Sequence, residues 1–214
     1  MVGTIKLDLK DALNRGGGLE PIRHILQRGG VIAYPTDTFY GLGADPFNEA
    51  AVARIYEIKG RTSGKPILVL VSSLDQIDSV AEEFPPTAAA LAQTFWPGPL
   101  TLVLRARPEL PHLLTAGTGT IGVRFPRHDL ARRLINDLHH SLTASSANLS
   151  GTENPTTARQ VEEQLGNHVD LILDGGPTPG GKVSTLIDLT VSPPRFLREG
   201  AIGREEILKC LNGI

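Results

Sequence analysis

Apolar positions along this chain fall into two rhythms. Leu19, Ile22, Ile25 and Leu26 recur at helical spacing and stop at Gly29-Gly30, and an apolar strand, Val31-Ile32-Ala33, follows at once. Val52, Ile55 and Ile58 repeat the helical period. Then Ile67-Leu68-Val69-Leu70-Val71 runs without a polar break, the pattern of a strand buried on both faces. Further strands are predicted over residues 100–104, 122–125, 171–173 and 186–189. Helices are predicted over 87–95, 130–138 and 158–165, the last opened by a capping box from Thr157 to Gln160, with a terminal helix around Cys210. Strands alternating with helices predict an α/β fold, and the crowding of strands toward the C-terminal half predicts a mixed sheet.

The strand at Val31 runs into Tyr34-Pro35-Thr36-Asp37-Thr38-Phe39-Tyr40-Gly41-Leu42-Gly43. Proline cannot donate to a sheet ladder, and glycine permits backbone conformations that other residues resist. The strand is therefore expected to stop here and turn Thr36, Asp37, Thr38 and Tyr40 toward a cavity. An ordinary turn, with Asp37 and Thr38 bonded to local backbone, is the plain alternative, and the segment alone leaves both open.

Length and composition narrow the class. The 214 residues, 40% of them hydrophobic, suit one domain spanning 1–214, since roughly 100–200 residues per domain is usual. A net charge of −2 supplies no global attraction to nucleic acid or anionic membrane, so a polyanion site has to come from local clustering. Such a cluster exists: between Ile58 and Leu74 the chain carries Lys59, Arg61 and Lys65 and no acid. The single cysteine, Cys210, excludes an intrachain disulfide and a cysteine-based zinc site, which fits a reducing compartment. The expectation is a cytoplasmic protein with no membrane partner; no apolar run approaches the ~20 residues of a membrane span.

Three segments bring hydroxyls and cations to predicted strand ends. Beside Thr36–Tyr40 stands the basic loop Lys59-Gly60-Arg61 with Lys65, suited to phosphate oxygens through an arginine fork and lysine point charges. The third is Ser145-Ser146-Ala147-Asn148-Leu149-Ser150-Gly151, a polar turn able to form an anion nest. A solvated loop and a serine-rich turn are their bland alternatives. The glycine-rich stretch 175–181 reads as a flap or as a plain surface loop. His139-His140 reads as a surface pair, because adjacent side chains diverge on any regular element. No complete dinucleotide fingerprint or Walker loop occurs.

With these segments in view, the chain resembles the YrdC family of L-threonylcarbamoyladenylate synthases in its short, single-domain form. The resemblance rests on motifs in order from residue 35 to 200. They include Pro35-Thr36-Asp37-Thr38, Lys59-Gly60-Arg61, Trp96-Pro97-Gly98-Pro99-Leu100-Thr101 and Val123-Arg124-Phe125-Pro126. Ser146-Ala147-Asn148, Ser184-Thr185-Leu186-Ile187-Asp188 and Arg198-Glu199-Gly200 complete the series. The resemblance implies a twisted open mixed sheet flanked by helices around a large electropositive concave site. It implies that Thr38, Arg124 and Ser184 bind threonine and that Arg61, Lys65, Thr120, Ser146, Asn148 and Arg198 bind ATP. It gives Lys59 and Arg61 catalytic roles on the phosphates. The implied substrates are L-threonine, bicarbonate or CO₂, and ATP with Mg²⁺, with no protein metal ligands assigned. The implied product, threonylcarbamoyl-AMP, passes to a tRNA threonylcarbamoyl-transfer complex, and weak RNA binding is a further expectation. Leu70 departs from the pattern, because some relatives with a fused C-terminal domain carry histidine there. Two rivals exist. A carbamoyl-adenylate-forming maturation enzyme would need further domains and zinc-binding cysteines. A non-enzymatic RNA-binding or ribosome-maturation factor would use the same basic concavity on phosphate backbone.

Overall fold

The structure is a computed structural model and describes residues 4–60 and 64–213. In chain order its strands are β1 (Ile5–Asp8), β2 (Ile32–Tyr34), β3 (Gly41–Gly43), β4 (Leu68–Leu70), β5 (Leu100–Arg105), β6 (Thr120–Arg124), β7 (Leu142–Ser146), β8 (Leu171–Asp174), β9 (Thr185–Asp188) and β10 (Arg195–Arg198). The helices are α1 (Leu9–Asn14), α2 (Glu20–Gln27), α3 (Glu49–Ile58), α4 (Pro86–Phe95), α5 (Asp129–Leu138), α6 (Ala158–Leu165) and α7 (Arg204–Leu211). The strands join in one mixed sheet of order β1-β8-β2-β3-β7-β4-β6-β5-β9-β10.

Alternation along the apolar strands divides the core into two layers. In the stretch expected to be buried on both faces, Ile67, Val69 and Val71 enter one cluster with α3, α4, α6 and α7. Leu70 enters the other with α1, α2 and α5, and Leu68 packs against it. Side chains alternate across a strand, so a run of apolar residues feeds both layers at once. β2 does the same, with Ala33 in the first layer and Ile32 and Tyr34 in the second.

Local chemistry sets the helix ends. Asn48 caps α3 by accepting from the Ala51 amide, and the capping box expected at Thr157 and Gln160 opens α6. Gly29 ends α2 with φ +76, in the left-handed region that favours glycine.

Some elements went unforeseen. β1 and β10, at the two edges of the sheet, and the six-residue α1 lack a clear period. The strand after Val31 stops at Tyr34, as the sequence predicts, and Gly41-Leu42-Gly43 forms the unforeseen strand β3, which pairs antiparallel with β2 through Tyr34↔Gly41 and Ile32↔Gly43. Its glycine content has a packing reason. A Cβ at Gly43 would stand 2.7 Å from the Tyr34 ring, so only glycine lets that buried ring lie across the strand. The serine turn also begins later than expected, because Ser145 and Ser146 are the last residues of β7 and pair with Leu42 and Gly41.

Candidate functional site

The chain between β2 and β3, residues 35–40, leaves the sheet and returns, and its hydroxyls face a cleft of about 190 Å³. That volume lies below the roughly 300–1,000 Å³ of pockets for drug-sized ligands, so the enclosed part suits a molecule of amino-acid size and a nucleotide would extend beyond it. One wall is polar: Thr36, Thr38, Arg124, Ser146, Ser184 and Arg198. Beside it runs an apolar wall that includes Pro66, Leu68, Leu70 and Ala144. The register explains this convergence. Leu70 pairs with Arg124 across β4 and β6, Leu68 with Ala144 across β4 and β7, and Ser146 with Gly41 across β7 and β3. Paired residues share a face of the sheet, so four strands contribute to one surface.

The polar wall is built by a chain of hydroxyls. Thr36 Oγ1 donates to the Phe39 carbonyl at 2.8 Å, so at its 3.2 Å contact with Thr38 Oγ1 it acts as acceptor. Arg124 Nη1 approaches the same Thr38 oxygen at 3.5 Å. Thr38 thereby keeps a lone pair for a ligand. On the same wall, Arg198 donates from Nε to the Ser184 carbonyl and from Nη2 to its hydroxyl, both at 3.0 Å. Thr101, buried in β5, shares a 2.9 Å hydrogen bond with the Ser184 hydroxyl. Burial lowers the Arg198 pKa, and the positive charge of Arg124 lowers it further. Two guanidiniums close enough to repel each other favour an anionic ligand between them.

Not every expected site residue reaches this cleft. Lys59 was expected in a loop as a phosphate-gripping charge. In the structure it caps the C-terminus of α3, is 3% exposed, and its ammonium contacts Ser146 Oγ at 3.3 Å, the Asn148 carbonyl at 3.0 Å and Asn148 Oδ1 at 3.1 Å, besides the Ser146 carbonyl. Such an ammonium ties the α3 end to the turn after β7. Asn148 is likewise drawn inward, since its amide nitrogen donates to the Thr152 carbonyl at 2.7 Å, so both ends of its side-chain amide are engaged. Thr120 begins β6 while Arg124 ends it, roughly 13 Å along the strand at 3.3 Å per residue, so Thr120 stands away from the enclosed cleft. Its hydroxyl pairs with that of Thr118 at 2.9 Å. Lys65 is exposed next to Pro66 of the apolar wall, and its carbonyl accepts from the Tyr56 hydroxyl at 2.8 Å. Arg61 lies outside the described residues.

The glycine-rich stretch 175–181 does not line the cleft; it straps the Thr36–Tyr40 segment from behind. Tyr40 donates its hydroxyl to the Gly176 carbonyl at 2.8 Å, and the Gly180 amide donates to the Thr38 carbonyl at 2.8 Å. Burial and the neighbouring Asp174 push the Tyr40 phenol up to about 12. Sequence reasoning missed the supports of Arg124: Asp37, read as facing a cavity, and the Gly98 carbonyl, which accepts from Arg124 Nε at 3.1 Å. It also missed Thr101, whose signal is a hydroxyl within the otherwise apolar Leu100–Leu104 stretch. His139 ends α5 with φ 63 and His140 Nδ1 lies 2.9 Å from the Ser141 carbonyl.

Comparison with known proteins gives the cleft a context. A family model described as telomere recombination, Sua5/YciO/YrdC, matches residues 24–200. The chain is 43% identical over 189 residues to a threonylcarbamoyl-AMP synthase of Pyrococcus abyssi, covering 88% of this chain and 56% of that protein. It is 38% identical to the threonylcarbamoyl-AMP synthase of Thiobacillus denitrificans over 181 residues, covering 85% of this chain and 96% of that one. Among solved structures, P. abyssi Sua5 complexed with L-threonine superposes with a TM-score of 0.87 at 38% identity, covering 100% of this chain and 62% of that one. The chain thus spans a little over half the length of the Pyrococcus relative. A matched family model across most of its length, together with these relatives, shows that the chain belongs to the Sua5/YciO/YrdC family.

Proposed function

We propose that this protein is a threonylcarbamoyl-AMP synthase, a nucleotidyltransferase that condenses L-threonine, bicarbonate or CO₂, and ATP to threonylcarbamoyl-AMP and pyrophosphate in the cytoplasm. The observation that carries the reading is the convergence of Arg124, Arg198, Thr38 and Ser184 on an amino-acid-sized cleft with an apolar wall. Relatives named for this activity, and one solved with L-threonine, support it.

The chemistry asks more for placement than for covalent help. The free amine of threonine adds to CO₂ and loses a proton, giving a carbamate; from bicarbonate, the same carbamate forms with loss of water and no net proton. A carbamate oxygen then attacks the α-phosphorus of ATP, and pyrophosphate departs. Alignment and charge neutralisation can supply most of the acceleration for such a transfer. Arg124 holds the threonine carboxylate, Thr38 and Ser184 offer hydroxyls to its polar groups, and Leu70 and Ala144 take its side-chain methyl. Arg198, bonded to Ser184 on the cleft lining, would face the phosphates, with Lys65 and Arg61 as further phosphate contacts. Lys59 and Asn148 act by fixing the turn after β7 and with it Ser146 at the strand end. The described residues hold no cluster of three His, Cys, Asp or Glu suited to a metal. Mg²⁺ would enter with ATP and supply charge neutralisation on its phosphates. The product's consumer is a tRNA-modifying transfer step.

The deciding experiment is pyrophosphate release from ATP and bicarbonate with each candidate amino acid. Threonine-dependent release, greater than with serine, is expected. ATP turnover indifferent to the amino acid would remove the reading. Arg124→Ala should raise the threonine requirement more than that for ATP, and equal effects on both would reassign Arg124.

A further inference from the structure

Asp37 neighbours Thr38 in sequence, yet it lies behind Arg124 and away from the cleft lining. The two side chains form an ion pair with only 5% of Arg124 and 8% of Asp37 exposed. Each nitrogen of the Arg124 guanidinium meets an acceptor from a different place: Nε the Gly98 carbonyl, Nη1 the Thr38 hydroxyl and Nη2 Asp37 Oδ1. Asp37 Oδ2 is buried without a hydrogen-bond partner among the described residues. A pair serving stability alone gains most from a two-oxygen fork, and an orphan buried oxygen is costly. One-oxygen contact does something else: it anchors Nη2 while leaving Nη1 turned toward Thr38 and the cleft.

We propose that Asp37 is a positioning residue for the substrate carboxylate, fixing the plane of the Arg124 guanidinium before the ligand arrives and offsetting one of the two positive charges at the cleft. This rests on reading the cleft as the threonine site. Two effects compete when the charge of Asp37 is removed. The cleft becomes more positive and attracts carboxylate, while Arg124 loses a charge-assisted anchor and meets the unopposed repulsion of Arg198. Orientation wins, because Arg198 already supplies a second positive charge and a misaligned guanidinium forfeits the directional bonds of its fork.

The test is calorimetric titration of L-threonine into the full chain, comparing the unmodified protein, Asp37→Asn, Arg124→Ala and the double variant. Asp37→Asn should weaken threonine binding by about tenfold, as removal of orienting groups commonly does. In the Arg124→Ala background it should change nothing, because its effect passes through Arg124. Unchanged or tighter binding in folded Asp37→Asn, or the same loss in both backgrounds, overturns the proposal. Should the variant not fold, nitrogen-15 arginine spectra of the unmodified protein decide. Hindered Nη rotation is expected before threonine is added, in a signal absent from Arg124→Ala; free rotation overturns the proposal. Failure of the unmodified protein to bind threonine would sink the functional reading instead, and the spectra would still decide whether Arg124 is locked.

Discussion

Arg198 grips Ser184 twice, through its carbonyl and its hydroxyl, each at 3.0 Å. Strands β9 and β10, which carry or flank these residues, pair antiparallel with a register shift between Phe196 and Arg198. That irregularity occurs beside the residue whose side chain must bend back over the sheet, as bulges do where they re-aim a side chain.

The first prediction concerns that grip. Ser184→Ala removes a hydroxyl shared by Arg198 and Thr101, so Arg198 keeps only its Nε bond to the backbone. Stability should fall by about 1 kcal/mol, while threonine-dependent pyrophosphate release falls by more than tenfold. Urea titration and steady-state kinetics measure the two. A stability loss with undiminished turnover would make Ser184 a structural residue only.

Lys59→Met tests whether the lysine is a clamp or a free phosphate contact. Methionine keeps the length of the chain but leaves the oxygens of Ser146 and Asn148 without their buried partner. The expected loss is about 3 kcal/mol or more in urea unfolding, since unpaired buried acceptors cost roughly 1–3 kcal/mol each. A lysine whose work lay on the phosphates would show full stability and a defect in ATP binding alone.

Gly41 offers the opposite kind of test. A Cβ there would meet nothing closer than 3.6 Å, so the fold has room for it, yet Gly41 lines the cleft. Gly41→Ala should melt near the parent temperature and weaken threonine binding. Retained affinity would place the ligand elsewhere.

Tyr40 gives a pH signature. Its phenol is pushed from 10.0 up to about 12 by burial. The folded state keeps this proton where the unfolded chain releases it, so the contribution is complete below pH 10 and is lost as pH rises toward 12. Tyr40→Phe should therefore show a shallower alkaline decline in unfolding free energy than the parent. Part of the decline remains, because burial also raises the Tyr34 phenol. Parallel declines in parent and variant would show that Tyr40 does not titrate in this way.

Much of the fold was legible because it rests on local chemistry. Helix α6 was foreseen with its bounds, since a capping box and an apolar period are written in adjacent residues. β4 was foreseen as buried on both faces, since a five-residue apolar run has few other solutions. The family motifs likewise lie in short contiguous words. The edge strands β1 and β10 were not legible, because most of their side chains are exposed and no buried face writes an alternation into the sequence. Gly41–Gly43 misled for a related reason. Glycine reads locally as a breaker, and the ring of Tyr34 that requires Gly43 comes from a neighbouring strand.

The sequence by itself determined which residue types could meet a charged substrate: threonine, serine and arginine at strand ends. Only the tertiary structure decided which of them face the cleft and which hold it in shape. Lys59 and Asp37 carry charges that a sequence presents as free, yet both are buried and committed to partners up to 89 residues away. Thr120 and Arg124 share one strand, and the sheet places only Arg124 at the cleft. Such division of labour depends on strand register and on partners distant in the chain, and local pattern records neither.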